Sequence, residues 1–269
     1  MKNLKRKGLL IRVGIDSSKE SGSWIAPINP RTNEFAYVPI IEPGKPIIKK
    51  GFTDFVEPCR KLGKPLKPFI TDETAHLDPD FTYLTYGDIS GQQYNGKKSY
   101  RGLPLLDLDE DDLMVFYSSL DPRKTQGFEK SELIYAIIGI YILAKKPARA
   151  VDLFPKRLPW DGNAHTRVHY NEADIIATAK HGVSGRLSRC IPIGELIPSG
   201  KTGAKRYFLR QELLNDWGGF QFRDKYVEKL YLQRSGALPF FRNAERFYSW
   251  LKEQKQLDGL PIELWQRNN

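Results

Sequence analysis

Cysteine and histidine are scarce in this chain. Two cysteines, Cys59 and Cys190, stand among 269 residues, too few for a disulfide framework or a Cys-rich zinc site. Neither lies in a recognisable nucleophile motif, so neither is expected to be catalytic. Of four histidines, three fall between positions 165 and 181, which argues against an all-His metal centre. The spacing therefore assigns no metal and identifies no cofactor. Long apolar runs are lacking too. The longest, "LIYAIIGIYILA" at 133–144, falls short of the roughly 18 residues of a membrane span, so no membrane partner is expected. The start "MKNLKRKGLLIRVGID" is basic, but its apolar segment is short, broken by Arg12 and ended by Asp16. That is not a signal-peptide pattern, and a cytoplasmic location is the expectation.

Nucleotide-binding and hydrolytic signatures are also missing. No G-x-x-x-x-G-K-[ST] and no G-x-G-x-x-G follows a strand, which excludes an ordinary phosphate loop or dinucleotide fold. H-E-x-x-H, paired C-x-x-C and G-x-S-x-G are absent, as is the H-x-E with P-C-x-x-C of zinc deaminases. Acidic residues are outnumbered, 32 against 42 basic ones, for a net charge of +10. Such an excess favours a polyanion, with nucleic acid or a nucleotide first. Part of it is local: "KNLKRK" at 2–7 reads as a basic flexible arm over residues 1–7, ahead of one domain over 8–269.

What is present reads as α+β. The pattern predicts a mixed, largely antiparallel sheet or partly closed barrel, with flanking helices and C-terminal helices packed on it. Residues 8–16 are apolar and β-branched at the centre, as in a strand. "DDLMVFYSSL" (111–120) and "ELIYAIIGIYILAKKP" (132–147) predict two neighbouring strands, or a long-looped hairpin. The second is apolar almost throughout, which places it mid-sheet with both faces covered. "EADIIATAKHG" predicts a helix stopped by Gly182. "TGAKRYFLRQELLNDWGG" predicts a strand or a helix ending at Gly218–Gly219. "AERFYSWLKEQ" predicts an amphipathic helix with Phe247, Trp250 and Leu251 on one face.

Four polar constellations carry candidate chemistry. In the first, "LIRVGIDSSKESGSWIAP" ends a strand on Asp16, Ser17 and Ser18, with Trp24 just beyond. A carboxylate and hydroxyls at a strand end suit ribose hydroxyls, a base edge or general-base work; an Asx/Ser turn is the structural alternative. In the second, "AHLDPDFTYLTYGD" spaces His76, Asp78 and Asp80 by two, which an extended segment would show on one side. Together they suit proton sharing or a divalent ion, or else Asp-Pro turn chemistry. In the third, "DGNAHTRVHY" alternates Asn163, His165, Arg167 and His169. Their burial on one strand face would be costly without partners, so an exposed or anion-binding face is expected. There Arg167 would fork onto phosphate and His165 act as acid or base. In the fourth, "SGRLSRC" and "LQRSGALPFF" set Arg186, Arg189 and Arg234 beside Gly, Ser184, Ser188 and Ser235. That combination suits a phosphate, and Gln233 and Arg234 can each contact base edges bidentately.

The blocks "LIRVGIDSS…GSWIAPINP", "FAYVPI", "HLDPDFTYLTYGD", "DDLMVFYSSL", "YAIIGIYIL", "NAHTRVHY" and "LQRSGALP", over about residues 8–255, together resemble the third type of nucleotide modification associated domain. That family is linked to phage and prokaryotic systems that make or handle modified DNA bases. The resemblance implies Asp16, Asp78, Asn163, His165, Arg189, Gln233 and Arg234 as site residues, a role in DNA modification or phage defence, and other DNA-modification proteins as partners. The turn "SSKESGSW" departs from the shorter glycine-rich form expected, leaving open how Asp16 is presented. The central strand pair is also similar to the base-binding barrels of PUA, ASCH and EVE type.

The resulting expectation is an enzyme taking part in synthesis or processing of a modified DNA base. Asp16, Asn163 and His165 would be catalytic. Ser17, Ser18, Trp24, Asp78, Arg167, Arg189, Gln233, Arg234 and Ser235 would bind. Two readings stand beside it: a non-catalytic reader of modified bases, and a nuclease holding Mg²⁺ on Asp78 and Asp80. Adjacent Asp and His exceed what recognition alone requires, which favours the enzyme.

Overall fold

The computed structural model describes residues 5–15, 24–91, 93–94, 97–98, 100–122, 132–199, 203–223, 225–233 and 237–254. The central feature is a seven-stranded sheet. Its strands are β1 (Gly8–Arg12), β7 (Leu113–Leu120), β8 (Ile134–Ile142), β11 (Gly185–Pro192), β14 (Phe220–Phe222), β15 (Lys225–Val227) and β16 (Phe240–Phe241), in the order β11-β8-β7-β1-β16-β14-β15. Only β1 and β7 run parallel; the other pairs are antiparallel. The fold is α+β. Among the described residues the sheet is open, ending at β11 and β15, with no closed barrel.

Both faces of the centre are covered, which explains why "YAIIGIYIL" shows no polar alternation. Leu9, Ile11, Met114 and Phe116 point into one core and Leu10, Leu113, Val115 and Tyr117 into the other. On β8 the alternation changes phase. Ala136 and Ile138 share the first core, whereas Ile140 and Ile142 belong to the second. The cause is a register shift, with Phe116 opposite Gly139 and Tyr117 opposite Ile137. One extra residue on β8 reverses which face follows.

The second core is closed by α4 (Gln211–Asp216) and α5 (Ala244–Lys252). Leu213, Leu214, Phe247 and Leu251 meet Trp217 there. The expected helix at 244–254 is present and Asn243 caps it, accepting from the Arg246 N–H at 3.2 Å. The segment at 202–219 is both things the sequence allowed: β13 (Ala204–Leu209) pairs with β12 (Gly194–Ser199), and α4 follows.

The first core is closed by α1 (Thr53–Lys61), α2 (Pro68–Thr71) and a three-stranded sheet. That sheet orders β4 (Thr85–Ile89), β10 (Asp174–Thr178) and β9 (Ala148–Arg149), with α3 (Ala150–Leu153) following β9. Two short pairs complete the set: β2 (Ile40–Ile41) with β3 (Ala75–His76), and β5 (Gln93–Tyr94) with β6 (Lys97–Lys98). The helix expected in "EADIIATAKHG" is strand β10. Ile175 and Ala177 face the first core while Ile176 packs with Ala150 and Tyr170. A short run buried on both faces carries no period to separate strand from helix.

Part of the expected basic arm is packed on the domain. Residues 1–4 lie outside the described residues, but Arg6 is 9% exposed, with its guanidinium 4.2 Å from the Tyr248 ring centroid. The Lys7 N–H donates to Asp112 at 2.7 Å.

Candidate functional site

A polar cluster lies where the loop from β3 to β4 meets the segment before β10. Ala164–Thr166 form one 3-10 turn, not the extended strand that alternation suggested. Asn163 caps it: Oδ1 accepts from the His165 N–H at 2.9 Å. The capping bond turns the His165 ring towards β4 and β10. Its Nδ1 is 3.0 Å from Asp174 Oδ1, and its Nε2 is 3.7 Å from Asp78 Oδ2. Burial alone would lower the imidazole's pKa. Hydrogen bonds to Asp174 and Asp78 and their negative charge outweigh it and raise the group to about 10.

Asp78 is held from two sides. The Gly87 N–H donates to its Oδ1 at 2.7 Å and Asn163 Nδ2 approaches the same oxygen at 3.5 Å. Asn163 Nδ2 also donates to Thr85 Oγ1 at 3.0 Å. Asn163 is fully buried, so its amide orients neighbours and does not meet solvent. A second histidine completes the group. The His76 ring stands edge-on to His165 with centroids 5.2 Å apart, and its Nδ1 lies 2.8 Å from Glu42 Oε2. Burial raises the Glu42 carboxyl, but the hydrogen bond and charge of His76 prevail and lower it. The loop carrying Asp78 is anchored from below. Tyr141 Oη donates to the Asp80 carbonyl at 2.9 Å and Tyr37 Oη to the Pro79 carbonyl at 3.3 Å. Burial, with Asp78 and Asp80 nearby, holds the Tyr37 phenol well above its ordinary pKa.

The other expected residues go elsewhere. Arg167 faces carboxylates of the chain itself instead of an exposed anion-binding surface. It is 2% exposed; Nη2 donates to Asp80 Oδ2 at 2.5 Å and Nε to Asp161 Oδ1 at 3.0 Å. Asp80 is thereby taken up by Arg167, because a buried guanidinium needs a buried carboxylate. Both Asp80 oxygens that the expected Asp78/Asp80 magnesium pair would draw on are engaged, Oδ2 by Arg167 and Oδ1 by the Thr82 and Tyr83 N–H groups. Trp24 is a core residue, 4% exposed, with Lys64 Nζ 5.1 Å from its ring centroid. Arg189 is exposed, its backbone bridged to Glu34. Gln233 accepts from the Tyr207 N–H at 3.1 Å through Oε1, and its carbonyl accepts from Arg12. Arg101 donates to the Arg12 carbonyl at 3.3 Å and pairs with Asp88, one residue beyond Gly87. Gln233 makes no described contact with His165. Asp16, Ser17, Ser18, Arg234 and Ser235 lie outside the described residues.

Sequence reasoning passed over Glu42, Asp174, Thr85 and Gly87. Glu42 carries no local signal at all. Asp174 sat at the start of a segment read as helix. His76 stands outside the expected site residues; its partners Glu42 and His165 are distant from it in sequence.

No helix of the described residues is long and apolar enough to cross a membrane. Neither a curated protein nor a solved structure matches the chain. A family model, nucleotide modification associated domain 3, matches residues 7–222. This span contains the whole of the cluster around Asp78 and His165, and the chain belongs to the nucleotide modification associated domain 3 family.

Proposed function

We propose that this protein is an enzyme of a nucleotide modification system, acting on a base or nucleotide at the cluster around Asp78 and His165. One observation carries the reading. Three segments distant in sequence, 76–87, 163–165 and 174, bring an aspartate, an imidazole and a second carboxylate within 3.7 Å contacts. A carboxylate–imidazole–carboxylate chain in which each member is oriented by another group is the arrangement of acid–base sites. His165 is the most open member, its side chain 13% exposed against 7% for Asp78 and 8% for Asp174. Asn163 and Asp174 position His165 and Asp78. The net charge of +10 supports a polyanionic or phosphorylated substrate. The magnesium nuclease reading loses its ligand pair, since Asp80 is held by Arg167.

The test compares nucleosides, by mass spectrometry of DNA and of the nucleotide pool, in cells making the protein and in cells making His165→Ala. A nucleoside that changes with the wild-type protein and not with the variant supports an enzyme. Identical profiles, with modified oligonucleotide bound equally by both proteins, would leave a reader instead.

A further inference from the structure

The geometry points to a transition-metal site formed by His76, Asp78 and His165, a two-histidine, one-carboxylate centre for a first-row divalent ion. It deepens the proposed function, on which it rests only for what the ion would act upon. Among the described residues these three side chains have ligand atoms that all lie within 4.8 Å of one another. Two atoms bound to one ion at about 2.1 Å each stand at most about 4.2 Å apart. The 3.7 Å between His165 Nε2 and Asp78 Oδ2 meets that limit. The outer bound exceeds it by about 0.6 Å, a small rotation of one ring.

Proximity alone would be weak. The stronger observation is how each ligand is backed. His76 has Nδ1 on Glu42 at 2.8 Å, and His165 has Nδ1 on Asp174 at 3.0 Å. A ring that donates Nδ1–H to a carboxylate keeps Nε2 for an ion, which displaces any proton there on binding, and metal-ligating histidines are typically held this way. Asp78 has Oδ1 on the Gly87 N–H at 2.7 Å, with Oδ2 towards His165. All three ligands are thus oriented by a second group, and three carboxylates surround two imidazoles. That is an excess of negative charge, which a divalent cation offsets in large part. Two nitrogens and one oxygen suit Fe(II) or Zn(II) and disfavour Mg²⁺ and Ca²⁺, which prefer oxygen. Three protein ligands leave coordination positions for water or substrate.

The test uses the full chain, stripped with a chelator and dialysed in parallel against Fe(II) under anaerobic conditions, Zn(II) and Mg²⁺. Bound metal is counted by plasma mass spectrometry. One Fe(II) or Zn(II) per chain is expected, with Zn(II) the tighter by the Irving–Williams order. His76→Ala should abolish binding, and Glu42→Gln should weaken it about 10–100-fold, the usual effect of removing an outer hydrogen bond to a ligating histidine. His181→Ala, on an exposed turn, should bind as wild type. Near-ultraviolet circular dichroism checks each fold, and Glu42→Gln decides if His76→Ala does not fold. Folded wild-type protein that takes up neither Fe(II) nor Zn(II), or a folded Glu42→Gln with unchanged affinity, overturns the site. Metal-free protein that still alters nucleosides overturns this inference and leaves the proposed function standing. Loaded protein with one ion per chain and no nucleoside change supports the site and overturns the function.

Discussion

Gly87 sits directly under the His165 ring. A Cβ added at position 87 would stand 2.3 Å from His165 Cδ2 and 2.8 Å from Asn163 Oδ1. The same residue's N–H holds Asp78 at 2.7 Å. One glycine therefore lets β4 approach the cluster closely and supplies one of its hydrogen bonds.

Gly87→Ala is expected to push His165 and Asn163 off their partners. Activity on nucleosides should drop by at least about tenfold, because misplacing a reacting group by about 1 Å can cost 10²-fold. Gly91→Ala is the comparison, since an added Cβ there meets nothing within 4 Å. Its φ of +96° makes a small loss of stability the expected effect, without loss of activity. Equal activity losses in the two variants would argue against a positional role for Gly87.

Arg167→Met is expected to lower stability by about 3–5 kcal/mol in urea unfolding, since it leaves Asp80 buried without its partner. Adding Asp80→Asn should recover a large part, because the uncompensated charge is then gone. A loss unchanged in the double variant would show that packing of Arg167, not its charge, matters.

Gly139→Ala is expected to cost about 1–3 kcal/mol by overpacking. The added Cβ would meet Phe81 Cε1 at 2.5 Å and the Gly185 carbonyl at 3.0 Å. Phe81 lies in the loop between Asp78 and β4, so nucleoside activity should fall along with thermal stability. Unchanged Tm would show that Phe81 can turn aside.

Both thiols should be unreactive in the native protein. Cys59 and Cys190 are fully buried and unpaired. Burial pushes the Cys59 thiol up to about 12 and raises Cys190 as well. The thiolate is the reactive form, so Ellman's reagent at pH 8 should titrate neither until denaturant is added. Rapid reaction in native buffer would contradict the burial.

Binding to DNA, if phosphates supply the affinity, should weaken steeply between low and moderate salt. A titration that is flat in salt would remove the polyanion from the reading.

Much of the scaffold was legible and little of the site. β7 and β8 are plain in "LMVFY" and "IIGIYIL", because strands covered on both faces must be apolar throughout. The helix at 244–252 is plain because one face is wet. β10 was misread, because burial on both faces removes the periodicity that separates it from a helix. In "NAHTRVHY" alternation suggested a strand, whereas a capping bond from Asn163 made a turn. The turn still aimed His165 at Asp78, but it sent Arg167 to the buried Asp80.

The sequence by itself determined the α+β class, the buried central strands, the net charge and the family, since these depend on composition and on order along the chain. It also named Asp78 and His165. Only the tertiary structure decided that His76 joins them and that Glu42 and Asp174 hold the two rings. Which carboxylate meets which basic side chain depends on chain segments 34 and 87 residues apart, as with Glu42–His76 and Asp80–Arg167. Hydrogen bonds and ion pairs across such separations have no period and no local signature. They exist only once hydrophobic burial has brought the segments together.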